Sequence, residues 1–127
     1  MIYLASPYSH PQEYIRVYRF NEACRAAAFL TCQGRHVFSP IAHSHPIALH
    51  GLPLDAGYWL AFDLEMLGAC QEIVVLRLDG WDRSVGVRAE VAKATEWGMP
   101  VSYMDPLQSR QDRIRRSIYG GVGLDTK

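Results

Sequence analysis

The run Glu72-Ile73-Val74-Val75-Leu76 constrains this chain more than any other stretch. After its first residue it is continuously apolar and rich in β-branched side chains, without the polar alternation of a strand that faces water. A strand buried on both faces belongs to a parallel sheet, whose crossover connections cover it with helices. The rest of the sequence fits that requirement. Ile2-Tyr3-Leu4-Ala5 is a second apolar run, stopped by the turn-forming Ser6-Pro7-Tyr8-Ser9, and His36 to Ser39 and Pro100 to Met104 read as two further strands. Helix-length stretches separate them: Pro11 to Cys32, closed by Gly34, then Ala56 to Cys70, then Val85 to Trp97, closed by Gly98. The order β-α-β-α-β-α-β predicts an α/β fold, a doubly wound parallel sheet with helices on both faces.

Two connections stand out. Pro40 to Asp55 holds Pro40, Pro46, Pro53, Gly51 and three histidines, which predicts a long irregular segment covering the site end of the sheet. Asp79-Gly80-Trp81-Asp82-Arg83-Ser84 reads as a turn-rich flap after the third strand, with Trp81 available either to stack on a ligand or to pack the loop down. Beyond Asp105-Pro106, the arginines 110, 113, 115 and 116 suggest a last helix that is solvated or contacts another subunit, followed by a loose tail at Gly120-Gly121-Val122-Gly123. The expected organisation is one domain over 1–127, with its core in 1–104 and a C-terminal helix and tail in 105–127.

Composition narrows the partners. With 13 Lys plus Arg against 13 Asp plus Glu, the chain has no global field to attract nucleic acid or an anionic membrane surface, so any anion site must be local. At 127 residues and 49% hydrophobic content it can bury a core without disulfide or metal staples. Cys24, Cys32 and Cys70 are odd in number and match no CxxC or zinc spacing, as expected of free thiols in a reducing cytoplasm. No stretch approaches the ~18 apolar residues of a membrane span, and Met1 leads straight into a strand rather than a signal peptide. The chain therefore reads as cytoplasmic.

Two acids are out of place. On a helix advancing ~100° per residue, Trp59, Leu60, Met66, Leu67 and Cys70 all fall within roughly 60° of Asp63, in the middle of the apolar stripe. On the next helix, Glu90 falls between Ala94 and Trp97 on the edge that also carries Val87 and Val91. An unpaired buried carboxylate costs several kcal/mol, so each acid either meets an arginine or caps a loop, or it works in a site. Glu90 lies early in its helix, near the carboxyl ends of the strands, where open α/β sheets place their ligands. Asp63 can reach that crevice only if its helix starts well above the sheet. Paired acids in a partly dry cleft suit glycosyl chemistry, one meeting an oxocarbenium-like centre while the other manages protons. His43, His45 and His50 with Asp55 match no established metal spacing; His43 and His45 are expected to touch substrate from the covering segment, with no metal and no cofactor.

The stretches Ile2-Tyr3-Leu4-Ala5-Ser6-Pro7, Asp63-x-x-Met66-x-x-x-Cys70, and Ser84-x-Gly86-x-x-x-Glu90-x-x-x-Ala94-x-x-x-Gly98-x-Pro100-Val101 resemble the nucleoside 2-deoxyribosyltransferase-like superfamily, and within it a small bacterial branch. The resemblance runs from residue 2 to about 104. For the fold it implies a flavodoxin/Rossmann-like three-layer sandwich. For the chemistry it implies Glu90 as the nucleophile at the anomeric carbon, Asp63 as the acid that handles the leaving base's proton, and Tyr3 as the hydroxyl that orients Glu90. Ser84 matches a position that is often aspartate in the transferases and can be serine in the nucleoside 5′-monophosphate hydrolases, where it meets the phosphate. Ser6 and Ser9 in the first turn, together with Gly86 and the backbone N–H groups at the helix start, complete the implied phosphate and sugar site. Two positions depart from the pattern: Ser6 stands where glycine is common and Gln71 where an acid often precedes the third strand. The expected activity is cleavage or transfer at the N-glycosidic bond of a nucleoside or nucleoside 5′-monophosphate, by a homo-oligomer. A non-catalytic nucleotide-sensing module using the same crevice is the alternative.

Overall fold

The computed structural model describes residues 1–107. Four strands, β1 (Ile2–Ala5), β2 (Val37–Phe38), β3 (Glu72–Leu76) and β4 (Val101–Met104), form one sheet in the order β2-β1-β3-β4, with every neighbouring pair parallel. The helices are α1 (Glu13–Cys32), α2 (Pro40–Ala48), α3 (Ala56–Gly68) and α4 (Val85–Glu96), with a short 3₁₀ turn at Trp81–Arg83. This is the expected doubly wound α/β fold, a sheet between two helical layers. Among the described residues no helix is long and apolar enough to cross a membrane. The C-terminal helix and tail expected after Asp105-Pro106 fall, from residue 108 on, outside the described residues.

The period-2 alternation of the central strands sorts their side chains onto two faces. Ile2 and Leu4 of β1 pack with Val74 and Leu76 of β3 and with Ala26 and Leu30 of α1. Tyr3 and Ala5 join Ile73 and Val75 on the opposite face, against Leu67 of α3 and Val87 and Ala94 of α4. The register Tyr3↔Ile73 and Ala5↔Val75 keeps these pairs level. Tyr3 is therefore aimed at the α3/α4 layer, although its neighbours in sequence face α1.

One expected element is corrected. Pro40 to Asp55 is not irregular throughout, because Pro40–Ala48 forms α2. Ser39 caps it, its hydroxyl accepting from the Ala42 N–H at 3.0 Å, and Pro40 occupies the first turn, where its missing N–H costs nothing. Pro46 removes a hydrogen bond only in the last turn of a nine-residue helix. Smaller differences lie at the ends: α1 starts at Glu13, β2 is two residues long, and α3 stops at Gly68.

Candidate active site

Between β1 and β3 the winding changes direction. The chain leaves β1 through α1 toward β2 on one side, and leaves β3 through α4 toward β4 on the other. The two loops at the carboxyl ends of these strands therefore separate and leave a crevice, the usual ligand position in such sheets. A cavity of about 640 Å³ occupies it. One wall consists of the post-β1 loop (Ser6, Tyr8, Ser9, His10) and the post-β3 loop with the start of α4 (Asp79, Gly80, Arg83, Ser84, Gly86). The other is made by α2 and the start of α3, with Pro40, Ile41, His45, Ala48 and Trp59.

Both misplaced acids line this cavity. Glu90, second turn of α4, is only 5% exposed, and the Tyr3 hydroxyl donates to its Oε2 at 2.6 Å. Burial pushes the Glu90 carboxyl up to about 8; the Tyr3 hydrogen bond pulls it back, and the neighbouring Asp63 charge raises it again. Burial likewise raises Asp63 to about 7. Tyr3 itself is held far above the ordinary phenol range by burial, then by the Glu90 and Asp63 charges, so it remains an O–H donor. Asp63 reaches the crevice because α3 starts above the strand ends: Ala56 and Trp59 in its first turn line the same cavity. Asp63 follows Trp59 by four residues and so shares its helix face.

Neither acid has the structural explanation that an ion pair would give. Glu90's hydrogen bond comes from an uncharged phenol, and Asp63 Oδ1 is buried with no hydrogen-bond partner among the described residues. Ser6 Oγ is in the same condition, on a residue 5% exposed that lines the cavity. A buried polar atom left unpaired costs about 1–3 kcal/mol, and such atoms grouped around one cavity are groups poised for a ligand.

The family model for a domain of unknown function, DUF1937, matches residues 1–106. The chain belongs to the DUF1937 family. No curated protein matches it. The matched stretch contains every element of the DUF1937 fold described above, and with it the whole cavity.

Of the residues singled out in the sequence, Ser6, Ser9, His45, Asp63, Ser84, Gly86 and Glu90 line the DUF1937 cavity, and Tyr3 stands behind Glu90. Two expected substrate contacts do not line it. Trp81, at the start of the 3₁₀ turn, packs on the α3/α4 face of the core and meets Tyr103 edge-on at 5.6 Å. His43 stacks on Phe62 at 5.0 Å, two positions from His45 and on another side of α2. Ser84 is partly committed as the cap of α4, its hydroxyl accepting from the Val87 N–H at 3.2 Å, while its proton remains free to donate. Among the described residues no group of three or more His, Cys, Asp or Glu could hold a metal ion.

Sequence reasoning missed Arg19. From α1 it crosses the cavity mouth, donating to the Ser9 carbonyl at 3.0 Å and the Asp79 carbonyl at 3.2 Å, and so ties the post-β1 loop to the post-β3 loop. Its partners are backbone atoms of two distant loops, which no side-chain pattern announces.

Proposed function

We propose that this protein cleaves or transfers at the N-glycosidic bond of a nucleoside or nucleoside 5′-monophosphate through a covalent glycosyl ester on Glu90. The observation that carries the reading is the meeting of two carboxyls in one cavity: Glu90, buried and hydrogen-bonded by Tyr3, and Asp63, half-buried with its Oδ1 enclosed and without a donor among the described residues. Like charges close together in a dry cleft do not ionise together, so the pair favours a state with a single shared negative charge. Before substrate binds, Glu90, at about 8 against about 7 for Asp63, holds a proton at least as readily. The Tyr3 hydrogen bond stabilises ionised Glu90, and the positive charge that develops at C1′ draws the shared charge onto it. The proton is left to Asp63, whose Oδ1 has no donor among the described residues.

The chemistry then balances in two steps. Glu90 attacks C1′ as the C1′–N bond breaks; the bonding electrons go to the base nitrogen, and Asp63 gives the base its proton. Water or an acceptor base next attacks C1′, the glycosyl ester breaks, Glu90 recovers its carboxylate, and Asp63 takes the proton of the incoming nucleophile. Ser6, Ser9 and the start of α4 offer hydroxyl and N–H donors to the sugar and any 5′-phosphate.

Ribo- and deoxyribonucleosides and their 5′-monophosphates, incubated with and without an acceptor base, test this by chromatography of free and exchanged base. Wild type is expected to release base, and Glu90→Ala to lose at least about 10³-fold of that rate, as removal of a nucleophile does. Base release unchanged in Glu90→Ala rejects the mechanism. Saturable nucleotide binding with no release by either protein is the behaviour of a non-catalytic sensing module.

A further inference from the structure

The α2/α3 wall of the cavity differs in character from the wall of strand-end loops. Pro40, Ile41, Ala48, Leu54 and Trp59 make it apolar, and His45 is the ring set among them with a hydrogen-bonding edge. That ring is held on three sides. Phe20 stacks on it at 4.3 Å, the Tyr8 ring meets it edge-on at 5.5 Å, and the Tyr8 hydroxyl lies 2.5 Å from Nδ1.

Arg16 donates to the His10 carbonyl, and its charge favours electron density on the nearby Tyr8 oxygen. The phenol O–H, far more acidic than a neutral imidazole N–H, is the donor in the contact with Nδ1. The ring proton is then on Nε2. Burial, reinforced by the Arg16 charge and opposed by Glu13, lowers the imidazole's proton affinity and keeps it neutral. Nε2 has no hydrogen-bond partner among the described residues. Nor is it sealed in: among the described residues the fully buried side-chain atoms without a partner are Ser6 Oγ and Asp63 Oδ1. On a residue only 9% exposed that lines the cavity, this free edge opens onto the cavity.

We propose that His45 is a specificity residue: a neutral Nε2–H donor, fixed by the Tyr8 hydroxyl at Nδ1 and the Phe20 stack, that reads a lone-pair acceptor on the edge of a heterocyclic base held against the apolar wall. Of the other polar groups on this wall, Ser44 Oγ is engaged with His43 Nδ1 at 3.3 Å and Asp55 caps α3. A mainly apolar slot with an uncharged ring donor suits a flat base better than a sugar or a phosphate, which the polar wall opposite serves. Asp63 shares a helix face with Trp59 and so stands at the border between the two walls, where a leaving base meets its proton. The inference rests on the nucleoside reading for the class of ligand, and its test does not depend on turnover.

The measurement is the ¹⁵N spectrum of the His45 ring in the full chain, titrated with adenosine, guanosine, cytidine and uridine 5′-monophosphates and, as the base-free probe, with ribose 5-phosphate. The free protein is expected to show the Nε2–H tautomer at neutral pH, at least one nucleotide is expected to shift Nε2, and ribose 5-phosphate is expected to leave it in place. An Nδ1–H tautomer, a shift of equal size with ribose 5-phosphate, or no shift with any nucleotide overturns the proposal. Tyr8→Phe, which keeps the ring and removes the hydroxyl, is expected to mix the tautomers and weaken nucleotide binding by about 5- to 10-fold, the value of one neutral hydrogen bond. His45→Phe keeps the stack on Phe20 and is expected to lose the same factor, with His45→Gln recovering part of it; equal binding by all three variants also overturns the assignment. Nucleotide shifts at Nε2 without base release would reject the glycosidic reading and leave this one standing, and base release with Nε2 unmoved would do the reverse.

Discussion

The two faces of the sheet are built from alternate residues of the same strands, yet they differ in kind. Against α1, the residues Ile2, Leu4, Val74, Leu76 and Leu78 close with Ala26 and Leu30 into an apolar layer, and the buried acid of α1, Glu22, is ion-paired with Arg25 at 3.0 Å. Against α3 and α4, the same two strands contribute Tyr3 beside Ile73 and Val75, and the helices bring Glu90 and Asp63 to the rim of Leu67, Val87 and Ala94. One face uses burial to hold the fold. The other uses burial to raise two carboxyls toward neutral pH, because the low dielectric that stabilises an apolar core disfavours their charged forms. A four-stranded fold of this size offers little room for a site apart from its core, and here the site occupies one end of the core itself.

This contrast is open to direct attack. Leu4→Ala, on the closed face, is expected to cost about 2–5 kcal/mol of stability, the usual toll of emptying a fully buried leucine position. Glu90→Gln, on the open face, keeps the shape of the side chain and an acceptor for the Tyr3 hydroxyl, so it is expected to cost less than about 1 kcal/mol while abolishing any reaction that uses the carboxylate. Urea unfolding of both variants measures the first quantity. If Glu90→Gln unfolds as readily as Leu4→Ala, the acid is part of the scaffold and the two faces do not differ as argued.

Acidity sharpens the same comparison. Both acids have higher proton affinity folded than unfolded, so their contribution to stability is present in full below their unfolded values and is lost as pH rises through their folded ones. For Asp63 that loss runs from about 3.8 to about 7, and for Glu90 from about 4.5 to about 8. The melting temperature is therefore expected to fall between pH 5 and pH 8, and the slope to flatten in the Asp63→Asn/Glu90→Gln double variant, whereas Leu4→Ala should lower the curve without changing its slope. A wild-type curve that rises across this interval would contradict the assigned burial of the pair.

How much of this was visible in the sequence follows the same division. The strands were legible because burial on both faces demands uninterrupted apolar runs, and Glu72–Leu76 has no other use for its composition. Asp63 and Glu90 were legible because an acid on an apolar stripe violates the helical period. α2 was misread because Pro40, Pro46 and Gly51 count as breakers one by one, although Ser39-Pro40 is itself a cap followed by a first-turn proline. Trp81 could not be placed, since an aromatic residue in a loop serves a ligand or a core equally well until the fold packs it. Arg19 and the Tyr8–His45 contact depend on segments 10 to 60 residues apart meeting at the cavity, which is tertiary information.

The loop that Arg19 secures gives the smallest effect and the finest test. Gly80 has φ +92°, a left-handed conformation that a side chain disfavours, and a Cβ there would come within 2.9 Å of Arg19 Nη2. The guanidinium is the far end of a flexible side chain and can move aside, so the collision itself is cheap. What remains is the backbone strain, about 1–2 kcal/mol for an L-residue in this region. Gly80→Ala is therefore expected to lower global stability only by that amount. The displaced guanidinium also loses its hold on the Asp79 carbonyl, so amide hydrogen exchange should quicken in residues 79–83 and in the post-β1 loop around Ser9, the two stretches this side chain joins. Arg19→Ala should reproduce the faster exchange in both loops without the strain. If only residues 79–83 respond in either variant, Arg19 does not couple the loops, and each wall of the cavity mouth stands on its own.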